Sequence, residues 1–94
     1  MSFLLKDPGA VLDYSIDWGA QYLGEGELLA ASSWSVVPSE PDGIIVAGSG
    51  FDSSTSTVKA SGGVAGRLYR LVNLVTTGSG RIDERSIVIR VEDR

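Results

Sequence analysis

Apolar and polar residues alternate along several short stretches of the chain, and this period of two is typical of β-strands with one buried face. The first stretch, AVLDYSIDW, covers residues 10–18. Its apolar residues share one face of the predicted strand and are Leu12, Tyr14, Ile16 and Trp18. Glycines interrupt the sequence that follows, GAQYLGEGE, which we interpret as a loop. The pattern therefore predicts a half-buried first strand.

Three more strands are predicted between residues 28 and 61. In the run LLAASSWSVV one face carries the apolar set, with Trp34 as the expected core anchor. That set is Leu28, Ala30, Trp34 and Val36. The prolines of PSEPDG cannot donate hydrogen bonds to a sheet, so they end this run. GIIVAG predicts a short third strand, and TVKAS predicts a fourth with Val58 and Ala60 facing inward.

The longest pattern, YRLVNLVTTGSGRIDERSIVIRV, covers residues 69–91 and holds two strand-like runs around a glycine-rich loop. Both faces of the first run are rich in apolar residues, which favours a central strand. One face of that run carries Tyr69, Leu71, Asn73 and Val75. No stretch predicts a helix of ten or more residues, so the crossover helices of a parallel sheet are missing. We therefore predict an all-β fold, a sandwich of about six or seven antiparallel strands.

The composition fits one folded domain spanning residues 1–94. The apolar fraction is 43%, as in an ordinary globular domain and unlike a disordered chain. Cysteine is absent, which favours folding in a reducing compartment. No apolar stretch is long enough to span a membrane, and the N-terminal MSFLLKDP is too short for the apolar region of a signal peptide. We therefore expect no membrane contact.

Charge is distributed unevenly along the chain. The formal net charge is −4, but residues 1–66 hold two basic and eight acidic side chains, whereas residues 67–94 hold six arginines and four acidic side chains. The acidic total argues against nucleic acid as a partner, because nucleic-acid binding usually requires a basic face. The uneven distribution has two interpretations, chance or complementary ends in a head-to-tail assembly.

The C-terminal arginines also have two interpretations. They could form a positive stripe for an anionic partner. They could instead form cross-strand ion pairs with the nearby carboxylates, which are Asp83, Glu84, Glu92 and Asp93. We favour the ion pairs. The arginines concerned are Arg67, Arg70, Arg81, Arg85 and Arg90.

The chain lacks the residue sets expected of a catalytic or metal site. It contains no histidine or cysteine, so its serines have no ordinary base beside them. IIVAGSG resembles a dinucleotide-binding turn, but Ser53 stands where the third glycine belongs, so a hairpin turn is the better interpretation. Asp13 and Asp17 would lie about 13 Å apart on one strand face, too far to share a metal. No calcium loop joins Asp42 and Asp52. We expect a protein that is not an enzyme, with no catalytic, cofactor-binding or metal-binding residues.

Tyr69 is a candidate for a structural role at the start of a strand. Gly66 precedes it by three residues, and a long apolar run follows it. In immunoglobulin-like sandwiches, a tyrosine near this point hydrogen-bonds to upstream backbone and fixes a corner between two strands. Immunoglobulin domains often carry a cysteine two residues later, where this chain has Leu71. Apolar packing would then replace the disulfide, and the predicted sandwich is immunoglobulin-like.

Four segments, in this order, resemble small phage and prophage proteins described as fibre–tail adaptors. They are KDPGAVLDYSIDW (Lys6–Trp18), SSWSV (Ser32–Val36), KASGGVAGRLYRLVN (Lys59–Asn73) and TTGSGRIDERSIVIRV (Thr76–Val91). The resemblance implies a non-enzymatic virion protein with an immunoglobulin-like β-sandwich and no cofactor. It implies phage tail or fibre proteins as partners and a place in the virion tail after assembly in the host cytoplasm. Homo-oligomers of this chain remain possible under this resemblance. The segment GEGELLA departs from the family pattern, so the role of the first loop remains open.

Other functions and contact modes remain open at this point. One alternative is a bacterial immunoglobulin-like adhesion or carbohydrate-binding module, and another is a tail-completion or head–tail joining protein. A contact could form by adding a strand to the edge of a partner's sheet. It could also use residues 1–9 as an N-terminal arm, because the apolar FLL within Met1–Asp7 precedes the first regular strand. The same segment could instead pack on the edge of its own domain.

Overall fold

The computed structural model describes residues 3–93 and shows an all-β sandwich of two sheets. The strands are β1 (Leu4–Lys6), β2 (Leu12–Asp17), β3 (Leu29–Val37), β4 (Ile44–Phe51), β5 (Thr55–Gly62), β6 (Leu68–Thr77) and β7 (Ile82–Val91), and the helix α1 (Trp18–Gln21) follows β2. The sandwich prediction is therefore confirmed. Within residues 3–93, no helix is long and apolar enough to cross a membrane.

One sheet has four strands in the order β1-β7-β6-β3, and the other has three in the order β2-β5-β4. Strands β2 to β7 follow the order of strands B to G in immunoglobulin sandwiches. All pairs are antiparallel except β1 and β7, which run parallel, so the antiparallel strands are the six from β2 to β7. The long strand β6 lies between β7 and β3, which confirms its predicted central position.

The prediction of which β3 residues face inward is wrong at the start of this strand. Leu29 is buried and Leu28 is exposed, the reverse of the predicted inward set. The cause is an irregularity in pairing with β6 between Leu29 and Ala31, which acts as a β-bulge. A bulge adds one residue to a strand and so exchanges the two faces on either side of it. Beyond the bulge, Trp34 faces the core as predicted.

The prediction that Trp18 continues the first strand is also wrong. Trp18 begins the short helix α1, and the Asp17 carboxylate accepts a hydrogen bond from the Ala20 backbone N–H at 3.0 Å, capping this helix. The turn swings the indole into the sandwich, where Trp18 is fully buried. Trp34 is only partly buried. The larger core anchor is therefore Trp18.

The segment that resembled a dinucleotide-binding turn is part of a regular strand. Gly48, Ser49 and Gly50 lie within β4 and pair with β5, so the predicted hairpin turn is displaced. The actual turn follows Phe51, and the Asp52 carboxylate accepts hydrogen bonds from the backbone N–H groups of Ser54 and Thr55. These bonds hold the pKa of Asp52 below its usual range. The next element is strand β5, and not a helix whose N-terminus could bind a pyrophosphate.

One end of the sandwich, which we call the upper core, is almost wholly apolar. Its buried residues are Ile44, Val58, Ala60, Tyr69, Leu71, Ile89 and Val91. The inward positions predicted for Val58, Ala60 and Leu71 are confirmed. The Tyr69 hydroxyl accepts a hydrogen bond from the Val64 N–H at 3.0 Å and donates one to the Glu40 carboxylate at 2.6 Å. The predicted tyrosine corner is therefore present.

The other end, which we call the lower core, combines apolar packing with a buried hydrogen-bond network. Its buried apolar residues are Ile16, Trp18, Leu29 and Val75. The Trp18 indole N–H donates to the Asn73 side-chain oxygen at 2.8 Å. The Asn73 amide donates to the Ser32 hydroxyl at 2.9 Å and to the Ser33 carbonyl at 3.0 Å.

The same network crosses from one sheet to the other. The hydroxyls of Ser32 on β3 and Ser56 on β5 lie 2.7 Å apart, and the Trp34 indole N–H donates to the Ser56 hydroxyl at 2.8 Å. Since β3 and β5 belong to different sheets, these bonds link the two layers. These bonds, together with apolar packing at Leu71, therefore connect the two sheets where immunoglobulin domains often have a disulfide.

The N-terminal segment forms part of the sandwich over Leu4–Lys6, where β1 pairs with Ile89–Val91 of β7. The Lys6 side chain is buried, and its ammonium donates to the Gly62 carbonyl at 2.6 Å and the Asp7 carbonyl at 3.0 Å. Burial lowers the Lys6 pKa, although the nearby Asp7 charge opposes this shift. The division into one domain with residues 1–9 as an arm stays a prediction, and Met1 and Ser2 lie outside the described residues.

Candidate contact surfaces

The outward side of the four-stranded sheet carries a surface that we call the apolar face. Because neighbouring residues of a strand point to opposite sides, the residues between the inward positions of β6 face solvent. Strands β1, β3 and β7 add residues in register with them. The apolar residues of this face are Leu5, Val37, Leu68, Val72, Leu74 and Val88, and the register places Ser33, Ser35, Glu84, Ser86 and Arg90 beside them. Leu5, Val37, Leu68 and Leu74 are exposed, the highest value being 56% at Val37.

Arg70 lies within the apolar face. In the sheet register it is directly opposite Val37 on one side and Val88 on the other. Together with Leu68 and Tyr69, these residues line a shallow groove of about 310 Å³. Among residues 3–93, the structure gives Arg70 no ion pair. An exposed guanidinium therefore lies in the middle of an apolar row.

The outward side of the three-stranded sheet, which we call the polar face, has a different composition. Its residues on β2 and β5 are hydrophilic, and Ile45 of β4 is an exposed apolar residue beside them. The hydrophilic residues are Asp13, Ser15, Asp17, Thr55, Thr57, Lys59 and Ser61. Asp13 and Lys59 are direct cross-strand neighbours. This composition is that of an ordinary solvated sheet surface.

The acidic loop GEGELLA, whose role the sequence leaves open, is fastened to the β6–β7 turn. The Glu27 carboxylate accepts hydrogen bonds from the Arg81 guanidinium, from the Ser79 hydroxyl and from the Gly24 N–H. The bond to Arg81, followed by the Gly24 and Ser79 bonds, holds the Glu27 pKa well below its usual range. The Arg81 guanidinium also lies 4.3 Å from the centre of the Tyr22 ring. These contacts fix the loop beside Tyr22, which packs against the lower core.

The arginines do not form one stripe. Ion pairs join Arg67 to Glu40, Arg81 to Glu27 and Arg90 to Glu92. Of these three pairs, only Arg90–Glu92 uses one of the C-terminal carboxylates that we predicted as partners. Arg67 and Arg81 pair with acidic residues that are distant in the sequence but close in the fold. The Arg85 guanidinium lies 5.1 Å from the Trp18 ring centre. Since β6 and β7 run antiparallel, their basic residues lie at both ends of the four-stranded sheet.

The carboxylates weighed for chemistry lie apart in the structure. Asp13 and Asp17 occupy opposite ends of β2, and Asp17 caps α1. Asp42 precedes β4 with a positive φ of 62°, whereas Asp52 follows β4. No cluster of three or more potential metal ligands is found in the part of the chain that the structure describes. The expectation of no catalytic, cofactor-binding or metal-binding residues stays a prediction.

The strand order and the tyrosine corner define an immunoglobulin-like sandwich, and its four-stranded sheet carries an exposed apolar face. The chain matches the family described as podophage GP4 fiber-tail adaptor protein gp77 over residues 6–90, and it belongs to this family. No curated protein matches the chain. Family membership confirms the resemblance to phage fibre–tail adaptors and indicates a structural role in the phage tail. No sequence motif marks the apolar face, although the sequence already shows apolar residues on both sides of β6.

Proposed function

We propose that this protein is a non-enzymatic adaptor that joins fibre and tail proteins of a phage through protein–protein contacts. Family membership supports this role because the family is described as fibre–tail adaptors. The proposal places the protein in the virion tail, after assembly in the host cytoplasm, with other proteins and neither nucleic acid nor membrane as its partners.

The observation that carries the proposal is the apolar face. Exposed apolar patches rimmed by polar residues mark protein–protein contact sites on small soluble domains. Here the exposed leucines and Val37 stand on a sheet whose opposite side packs in the core, so the surface is rigid. A rigid surface loses little conformational entropy on binding.

The test is co-expression of the protein with tail and fibre subunits of the same phage, followed by size-exclusion chromatography. We expect a complex of defined stoichiometry with at least one tail and one fibre subunit. If the protein elutes as a free monomer beside every one of these subunits, the adaptor function is contradicted.

A variant of the apolar face tests whether the complex uses this surface. Leu68→Ser and Leu74→Ser together should leave the fold intact, because both side chains are already about half exposed. The double variant should lose one of the two partners. The matched control is Ile45→Ser, which removes an exposed apolar side chain from the polar face. Equal binding by both variants would show that the contact lies elsewhere.

A further inference from the structure

We propose that the Arg70 groove binds an apolar segment of a partner protein that carries one carboxylate, and that this carboxylate pairs with the Arg70 guanidinium. This inference rests on the proposed function and specifies the chemistry of one contact. It concerns the row formed by Val37, Arg70 and Val88 across three neighbouring strands.

Covering Arg70 with a partner has an electrostatic cost. A partner that packs against Val37 and Val88 also removes water from the guanidinium between them. A buried cation without a counter-charge is strongly unfavourable. Within the described residues Arg70 has no carboxylate of its own, unlike Arg67, Arg81 and Arg90. The counter-charge must therefore come from the occupant.

The residues around the Arg70 guanidinium are apolar. Val37 is 56% exposed and Leu68 is 47% exposed, and both border the groove. Apolar residues around a central arginine are typical of interface hot spots, because they exclude water from the charged pair. A nucleic-acid backbone would instead favour several adjacent cations, and the chain as a whole is acidic. The groove therefore suits a protein segment with apolar side chains on both sides of a single acidic residue.

The geometry of the Arg70 side chain favours a carboxylate as its partner. A guanidinium presents a planar fork that pairs with a carboxylate through two parallel hydrogen bonds. Arg70 extends from the central strand β6, whose backbone is held on both edges by β3 and β7. The cation thus has a rigid base, and the pairing fixes the direction in which the partner docks.

The experiment measures affinity for each separately purified tail and fibre subunit by calorimetry. The variants are Arg70→Glu and, to probe the apolar border, Val37→Ser. The matched controls are Lys59→Glu, the same charge change on the polar face, and Val11→Ser, an equally exposed valine at 58%. Because the changed side chains are exposed, melting temperatures should stay close to that of the wild type.

For one subunit, we expect Arg70→Glu to weaken binding by about 30-fold or more, since loss of a buried charge pair has effects of this size. Val37→Ser should weaken binding less, and both controls should bind like the wild type. Exchanging the partner's carboxylate for arginine should restore binding to Arg70→Glu and to no other variant.

Three outcomes would overturn the inference, and they differ from one another. If the wild type binds a subunit and Arg70→Glu binds it equally well, the groove assignment is wrong but the adaptor function stands. If the wild type binds no tail or fibre subunit, the adaptor function itself fails. If the wild type forms oligomers that Arg70→Glu dissociates, the groove binds a second copy of this chain, and its assignment to a different partner protein is wrong.

Discussion

Leu71 and Asn73 are successive inward positions of the same strand, yet they belong to two differently built halves of the core. Around Leu71 the upper core is held by apolar contacts and one tyrosine hydroxyl. Around Asn73 the lower core is held by buried hydrogen bonds that join three strands and a helix. The comparison shows that one sandwich can connect its two sheets by apolar burial at one end and by polar contacts at the other.

The two halves of the core should tolerate substitutions to different degrees, because substitution weakens apolar packing and hydrogen bonds in different ways. Apolar burial declines gradually as methylene groups are removed. A buried hydrogen-bond network fails abruptly, because each lost partner leaves another group unsatisfied. Variants in each half can therefore test the contrast directly.

The largest effect is expected for Trp18→Ala in the lower core. The change removes a fully buried indole and leaves the Asn73 side-chain oxygen without its donor, so the free energy of unfolding should fall by about 3–5 kcal/mol. Urea unfolding measures this loss. The matched control is Trp34→Ala, which should cost less because Trp34 is partly exposed. An equal or larger loss for Trp34→Ala would contradict the assignment of Trp18 as the main anchor.

In the upper core, Leu71→Ala should lower the free energy of unfolding by about 2–5 kcal/mol through lost burial and an unfilled cavity. Leu74→Ala is the matched control on the same strand, because its side chain points outward and is 43% exposed. The control should change stability by less than about 0.5 kcal/mol. Similar losses for the two variants would mean that the inward and outward sides of β6 are wrongly assigned.

A smaller loss, about 1–3 kcal/mol, is expected for Asn73→Leu, which keeps the volume but removes the acceptor of Trp18 and the donor to Ser32. A double-mutant cycle with Trp18→Phe isolates the network. If the unsatisfied indole N–H causes the loss, Trp18→Phe should cost less in the Asn73→Leu background than in the wild type. Strictly additive effects would show that Asn73 and Trp18 are not coupled.

The smallest effect is expected for Tyr69→Phe, about 1 kcal/mol at neutral pH, because the variant loses the bonds to Val64 and Glu40. Burial, followed by the hydrogen bond to Glu40, raises the Tyr69 pKa. The neutral phenol therefore stabilises the fold fully below the ordinary tyrosine pKa of about 10, and this contribution is lost as the pH rises through the raised value.

Denaturant unfolding between pH 7 and pH 11 checks the pH dependence. The difference in stability between wild type and Tyr69→Phe should be constant up to about pH 10 and narrow above it. A difference that stays unchanged across the alkaline range would show that the Tyr69 hydroxyl does not titrate differently in the folded protein.

The upper core could be predicted from the sequence because alternation alone identifies its inward residues. Val58, Ala60, Tyr69 and Leu71 were found in this way, and a known corner motif identified the role of Tyr69. Local pattern is sufficient where the only requirement on a position is to be apolar.

The lower core could not be predicted in the same manner. Asn73 and Ser56 look like polar interruptions of apolar faces, and their partners lie far away in the sequence. The phase of β3 changes at a bulge, and Trp18 leaves its strand through a one-turn helix. These features depend on pairing between distant strands, which no short window of sequence contains.

The parallel pairing of β1 with β7 has a mechanical consequence. Leu4 of β1 lies beside Ile89, and Lys6 lies beside Val91, so the chain enters this edge at one end of the ladder and leaves at the other. When tension pulls Phe3 and Glu92 apart along the strand direction, the ladder bonds between the two strands are sheared together instead of opening one after another. The buried Lys6, bonded to Gly62, resists the same displacement. A domain stretched between two large assemblies would thus be loaded in shear across this ladder.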